Sequence, residues 1–473
     1  MHRSIAGVLV LLTGLIGMPG GARSQTLEQA LVAAFNNNPT LLAERAKLRA
    51  IDEDVAQALS NWRPSVEMVA DYAGRATESN LATNRRQHRD PRSLRFTIEQ
   101  SLYRGGRTLA ATREAENTVL AGRARLISVE QKVLRDAATA YMNVVRDQAV
   151  LELTTSNEQV VKRHLEATRD RFQVGEITRT DVHQAEARLA RASAERIQAE
   201  SDLKAFRAAY RNVVGEIPGR LAQVTPPADL PADGEEAVRI AAVHAPEVVA
   251  GSFDEKALAG DAEGVRGELL PEIKLKGTAS REFDSAGQES RIDVSEVKVT
   301  LTVPLYQSGA VYSRLRQARQ SVAAQRLKTR QARRDAMEEA TRSWGALQAA
   351  RARIVAFRSE IGATEVALEG VEREAAVGNR TVLDVLDAEQ ELLDAKVDFA
   401  RAQRDEMVAI FELNVALGKM TAKHLKLPVA LYDPEDHYRE VREKPFGGTA
   451  SGQSDVVDGG LVGKKSKGAA GGN

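Results

Sequence analysis

The chain has 473 residues, 66 Lys or Arg against 66 Asp or Glu, and no cysteine. Disulfides, thiolate metal sites and a lipidated N-terminal cysteine are therefore excluded, and the balanced charge offers no field for nucleic acid. Aromatic residues make up only 4%, too few to give bulk to one large compact core. Alanine, which favours helix and lets helices approach closely, recurs throughout.

Residues 1–24 read as a secretory signal. His2 and Arg3 give a positive start, Ile5 to Met18 an apolar stretch, and Ala22-Arg23-Ser24 a small-x-small cleavage site before Gln25. A membrane anchor is the alternative, but the stretch is short, broken by Gly14 and Gly17, and followed by Pro19-Gly20-Gly21. Beyond it no run approaches the ~20 apolar residues of a spanning helix. An exported chain of this kind is periplasmic, secreted, or an outer-membrane β-barrel.

A first repeat is expected over residues 25–217. Thr26 and Gln29 form a capping-box pattern before a helix that breaks at Asn36-Asn37-Asn38-Pro39 and resumes from Thr40 to about Ser60. After Pro64 the period changes from helical to alternating, and two strands are expected at about 65–74 and 94–103. In the first, Val66, Met68, Ala70 and Tyr72 oppose Glu67, Val69, Asp71 and Ala73. In the second, Leu94, Phe96 and Ile98 oppose Arg95, Thr97 and Glu99, and a polar loop is expected over Arg75–Arg92. Strands of about ten residues with one apolar and one charged face fit either a lipid-facing barrel or a soluble antiparallel sheet.

A helical hairpin is expected over about 106–215. Ala115, Val119, Gly122, Leu126, Val129, Val133, Ala140 and Val144 mostly alternate four and three apart, the heptad signature of a coiled coil. Gly175 ends that helix, and the return helix keeps the rhythm through Ala185, Leu189, Ala192, Ala199, Leu203, Phe206 and Tyr210. A proline-rich linker follows at 218–235.

The second half then repeats the first. Gly175 and Gly378 lie 203 residues apart, as do Gly215 and Gly418, and the same displacement carries RFQVGEITRTDV (Arg171–Val182) onto EAAVGNRTVLDV (Glu374–Val385). It also carries SLYRGG, ending at Gly106, onto PLYQSG, ending at Gly309, and Tyr141 onto Trp344. Pro39 and Pro64 are spaced like Pro246 and Pro271. The second repeat, 236–425, is thus expected to hold strands at about 272–282 and 295–305 and a hairpin at about 309–418. Residues 426–473 form a C-terminal segment, Gly- and Lys-rich and expected to be disordered from about 445. Four strands cannot close around water, because even eight leave an interior filled by side chains. A pore would need strands from several chains.

The duplicated strand–strand–long-helix unit, the NP…P spacing, the LYxxG strand exits, and the turns VGEITRTDV and VGNRTVLDVLDAEQELLDAK (Val377–Lys396) resemble the TolC family of outer-membrane efflux proteins. The resemblance spans about Thr26 to Leu425. It implies a mainly α fold with a β-barrel: a homotrimer whose chains each give four strands to a 12-stranded barrel, continued by a periplasmic α-helical tunnel. It implies an exit duct for multidrug efflux or type I secretion, with outer-membrane lipid, a periplasmic adaptor and an inner-membrane pump of RND or ABC type as partners. From the residues themselves no enzyme activity and no cofactor are expected: no HExxH, GxGxxG or GxxxxGK[ST] occurs. The different-class alternative is a soluble periplasmic coiled-coil adaptor or scaffold, which would usually carry one hairpin flanked by lipoyl-like β-rich segments.

Read on its residues, each helix turn has a local role. Gly175 and Gly378 suit left-handed C-caps, and Asp181 and Asp384 suit helix N-termini. The resemblance adds a gate: Arg380 as the cation of a latch, Asp181 as its carboxylate partner, and Asp384 and Asp387 as two acidic constriction rings. Gln184 stands where the first turn would match Asp387, and Ala375 where the family's latch carries a tyrosine. Trp62, Tyr103 and Tyr306 lie at the proximal strand ends, where either an aromatic girdle or ordinary packing would use them.

Overall fold

A computed structural model describes residues 25–78, 86–226, 230–287 and 289–448. The expected signal segment and the tail from 449 onward lie outside the described residues.

The chain enters through α1 (Leu27–Asn37) and α2 (Pro39–Ser60). Thr26 and Gln29 cap α1 reciprocally, each side chain accepting from the other's backbone N–H. Pro39 opens α2 at its first turn, where a missing N–H is harmless, and the Asn38 side chain accepts from Thr40 at 2.9 Å.

Strand β1 (Ser65–Tyr72) leads into a small hairpin, β2 (Arg75–Glu78) with β3 (Arg86–Arg89), and β4 (Arg92–Arg104) returns. The polar loop expected over Arg75–Arg92 is thus partly a two-stranded extension, paired from Arg75 with Arg89 to Glu78 with Arg86. Its side chains are charged on both faces and carry no alternation to read. Helix α3 (Arg107–Gln173) follows, 67 residues and about 100 Å long, and α4 (Arg179–Val214) folds back against it. The strand-to-helix bend needs glycine: a Cβ on Gly105, whose φ is +60°, would lie 2.2 Å from the Gly267 carbonyl oxygen.

The second half runs through α5 (Gly234–His244), α6 (Pro246–Gly267), β5 (Glu272–Phe283), β6 (Arg291–Thr302), α7 (Ala310–Ala376) and α8 (Val382–Ala416). Strand β6 begins earlier than the alternation at 295–305 suggested, and it ends at Thr302 because Pro304 cannot continue a hydrogen-bonded ladder. After α8 the C-terminal segment packs back on the molecule and forms α9 (Asp436–Val441) over α2.

The four main strands form one antiparallel sheet in the order β1-β4-β5-β6. Its register places the apolar positions in common rows: Val66, Ile98, Gly277 and Val297 are successive partners, and Met68, Phe96, Ala279 and Ser295 the next row. The opposite face carries Glu67, Thr97, Thr278 and Glu296 in one row and Ser65, Glu99, Lys276 and Lys298 in another. Val297 is 80% and Met68 70% exposed, and among the described residues no other named element packs extensively on the sheet.

The long helices pack side by side in rows. Next to the sheet the neighbours run α2, α3, α6, α7; beyond the middle they run α4, α3, α8, α7. The main core lies where these rows meet, around Leu41, Leu48, Leu134, Tyr141, Tyr210, Ile410 and Leu413. There Gln25 bridges to Leu221, and the Tyr141 hydroxyl lies 2.8 and 2.7 Å from the Gln25 and Ala222 carbonyl oxygens. Trp344, the repeat counterpart of Tyr141, packs against Gly234 at the start of α5.

Candidate functional site: the two hairpin turns

The two helix turns farthest from the sheet share one backbone design. In the first, Glu176 N–H donates to the Arg171 carbonyl at 3.0 Å and Gly175 N–H to that of Phe172 at 3.0 Å. In the second, Asn379 donates to Glu374 at 2.9 Å and Gly378 to Ala375 at 3.1 Å. These are paired C-terminal bonds that satisfy the last helical carbonyls, and they require a left-handed residue. Gly175 and Gly378 both adopt φ +83°.

The next helix starts identically in both copies. Asp181 Oδ2 accepts from the Thr178 N–H and hydroxyl, each at 2.8 Å, and Asp384 Oδ2 accepts from Thr381 in the same way. The Thr381 backbone N–H, then its hydroxyl, then the charge of Arg380 hold the Asp384 carboxyl below its ordinary value. Each aspartate thus completes the capping box of its helix through one carboxylate oxygen, Oδ2.

Charge distinguishes the turns. Arg171 Nε donates to Glu176 at 3.0 Å, whereas at the second turn Arg380 Nε donates to Glu374 at 2.8 Å. Arg171 and Glu374 are repeat counterparts of opposite sign. Within one chain Arg380 therefore meets Glu374 and not Asp181, which is occupied by its own cap. Asp387 pairs with Arg188 on α4, across the two hairpins. The expected second acidic ring thus has a cation beside it. Sequence reading missed Glu374 and Arg188. The charge reversal at the repeat displacement was visible for Glu374, but the approach of Arg188 depends on how α4 and α8 lie side by side.

Behind the turns a small core of Val161, Leu165, Ala185, Ala192 and Leu386, flanked by Leu189 and Val382, joins α3, α4 and α8. One turn farther along α8, burial pushes the Glu389 carboxyl up. Around this core Arg380 and Asp387 are exposed, whereas Asp181 and Asp384 are half-exposed.

At the sheet end, Trp62, Tyr103 and Tyr306 are 49, 43 and 85% exposed. Among the described residues no helix is long and apolar enough to cross a membrane, and no cluster of His, Cys, Asp or Glu is arranged to hold a metal ion.

The outer membrane efflux protein family model matches residues 30–216 and 237–419, one segment in each repeat. The chain belongs to the outer membrane efflux protein family. It is 33% identical to the outer membrane efflux protein BepC of Brucella suis, over 94% of this chain and 96% of that one. It is 25% identical to the outer membrane protein TolC of Escherichia coli, over 88 and 87%, and 23% identical to the alkaline protease secretion protein AprF of Pseudomonas aeruginosa, over 65% of each. The CmeC outer membrane channel of Campylobacter jejuni superposes with a TM-score of 0.75 at 15% identity, covering 88% of this chain and 89% of that one. The family places the protein in the outer membrane, with its long helices in the periplasm. Proteins of this family are channels.

Proposed function

We propose that three copies of this chain assemble side by side into one exit duct. A periplasmic adaptor and an inner-membrane pump, of RND or ABC type, would deliver substrate to its helical end, and outer-membrane lipid would surround its barrel. The observation that carries this reading is that sheet and helices run out together on the same two sides. The edge strand β1 lies on the side of α2 and α4, and the edge strand β6 on the side of α7. A wedge open on both flanks is completed by rotation, and pairing β6 of one copy with β1 of the next removes both edges of the four-stranded sheet. Three such sheets make 12 strands, enough for a water-filled interior lined by Glu67, Glu99 and Lys276 while Val297 and Met68 face lipid. Residues 1–24 fit an export signal removed before assembly, and 25–217 and 236–425 fit two structural repeats joined by a linker.

The duct conducts passively and closes at the hairpin turns. Glu374 engages only Nε of Arg380, so the terminal nitrogens are available to Asp181 on a neighbouring hairpin, and one guanidinium can bridge both acids. Without a tyrosine at Ala375, this ionic bridge carries closure largely alone. Arg380→Ser channels reconstituted in planar bilayers should conduct more than wild type, with a more frequent open level. Unchanged conductance would remove Arg380 from the gate.

A further inference from the structure

The described part of the C-terminal segment lies on the first repeat. Along α2 and α3, Glu435 pairs with Arg123 at 3.1 Å, and Tyr438 stacks on the same guanidinium, 5.4 Å from the ring centre. Arg442 pairs with Glu116 at 3.1 Å, and His437 meets the fully buried Asp52 at 3.1 Å. The repeat shows what lies at the matching places on α6 and α7. A displacement of 203 residues carries Glu116 and Arg123 onto Arg319 and Arg326, and the Pro39-to-Pro246 displacement of 207 carries Asp52 and Val55 onto Ala259 and Ala262. The counterpart face therefore has no buried acid to receive a histidine, and it has exchanged an acid for a base.

Four arginines share that face. Arg319, Arg326, Arg330 and Arg333 follow at intervals of seven, four and three, which keeps them on one side of a helix, and all four are exposed. Only Arg326 has a carboxylate, Glu255 at 2.8 Å; among the described residues no ion pair reaches Arg319, Arg330 or Arg333. From Arg314 to Arg334 there are eight basic residues and no acidic one. The counterpart stretch of α3 contains Glu114, Glu116 and Glu130. Like charges three and four apart weaken a helix by ~0.2–0.5 kcal/mol per pair, so the stripe is unfavourable until an anion lies along it. Exposed Tyr312 continues the same side toward the sheet. The stripe spans 14 residues, about 21 Å along the axis, and α7 runs away from the sheet. A bilayer beside the barrel reaches only its first turns.

We propose that this face of α6 and α7 docks an extended acidic segment, bearing an aromatic residue, of another periplasmic protein, in the way the chain's own C-terminal segment lies on α2 and α3. The probe is a labelled peptide of residues 431–441, LYDPEDHYREV, offered to the full-length protein in detergent, with binding read by fluorescence anisotropy. Wild type should bind it in a salt-sensitive manner. R319Q/R330Q/R333Q, checked for unchanged melting temperature, should bind at least tenfold more weakly. Undiminished binding by that variant overturns the proposal, as does equal binding of a peptide whose four acids are replaced by amides. Arginine-dependent binding of phosphatidylglycerol vesicles without any peptide binding also overturns it, and assigns the stripe to lipid.

Discussion

Tyr141 and Tyr210 are both fully buried in the main core, yet only one hydroxyl is satisfied. Tyr141 lies within hydrogen-bond distance of the Gln25 and Ala222 carbonyls and pins the N-terminal segment to residues 221–222. The Tyr210 hydroxyl has no partner among the described residues. A buried bond that is broken costs about 1–3 kcal/mol, whereas deleting an unpaired polar atom removes a penalty. Tyr141→Phe should therefore lower the melting temperature, and Tyr210→Phe should leave it unchanged or raise it. Equal losses in both would contradict this account of the core. At the turns, the pairing of Asp387 with Arg188 makes a different prediction. Arg188→Gln should increase preference for cations in bilayer recordings, because it unmasks Asp387, while Asp384→Ala combined with Asp387→Ala should reduce it. A preference insensitive to all three changes would place the selective charge elsewhere. Gly175, Gly378, Asp181 and Asp384 were legible in the sequence because each answers a local backbone need. Arg188 was not, since its partner lies 199 residues away.

Strands and helices differ in how much of themselves the sequence discloses. Period-two alternation gave the four main strands and their apolar faces, and the common rows of Val66, Ile98, Gly277 and Val297 follow from pairing those faces. The same alternation predicts the result of placing charge. Val299→Arg, on the apolar face near mid-strand, should destabilise the membrane-inserted protein by about 2–4 kcal/mol, whereas Thr300→Arg on the other face should be tolerated. Denaturant titration of folded protein in lipid vesicles checks this; equal losses at both positions would mean that neither face meets lipid. The hairpin of β2 and β3 escaped the reading because its charged residues alternate nothing. The packed C-terminal segment escaped for another reason: its anchors, His437 on Asp52 and Arg442 on Glu116, join residues more than 300 positions apart. Helix termini were plainer, since Gly and Thr-x-x-Asp or Thr-x-x-Gln mark them locally.

For the whole molecule, the duplication was the most legible feature and the most consequential. Two copies of one unit explain why the strand pair, the hairpin and both turns recur. The places where the copies differ, Arg171 against Glu374 and Glu116 against Arg319, are where the halves have separate work. The strands themselves disclosed assembly as a need for more strands, and the family resemblance supplied the number three; the structure adds that β1 and β6 are the edges and that the flanking helices end on the same sides. The chain's lack of cysteine allows a direct test of that closure. Met68→Cys on β1 is combined in turn with Val297→Cys, Val299→Cys or Leu301→Cys on β6, and the purified protein is oxidised and run on a non-reducing denaturing gel. A shared barrel predicts that at least one pair gives a covalent trimer that collapses to monomer on reduction. Monomer alone from every pair would contradict a barrel built from three chains.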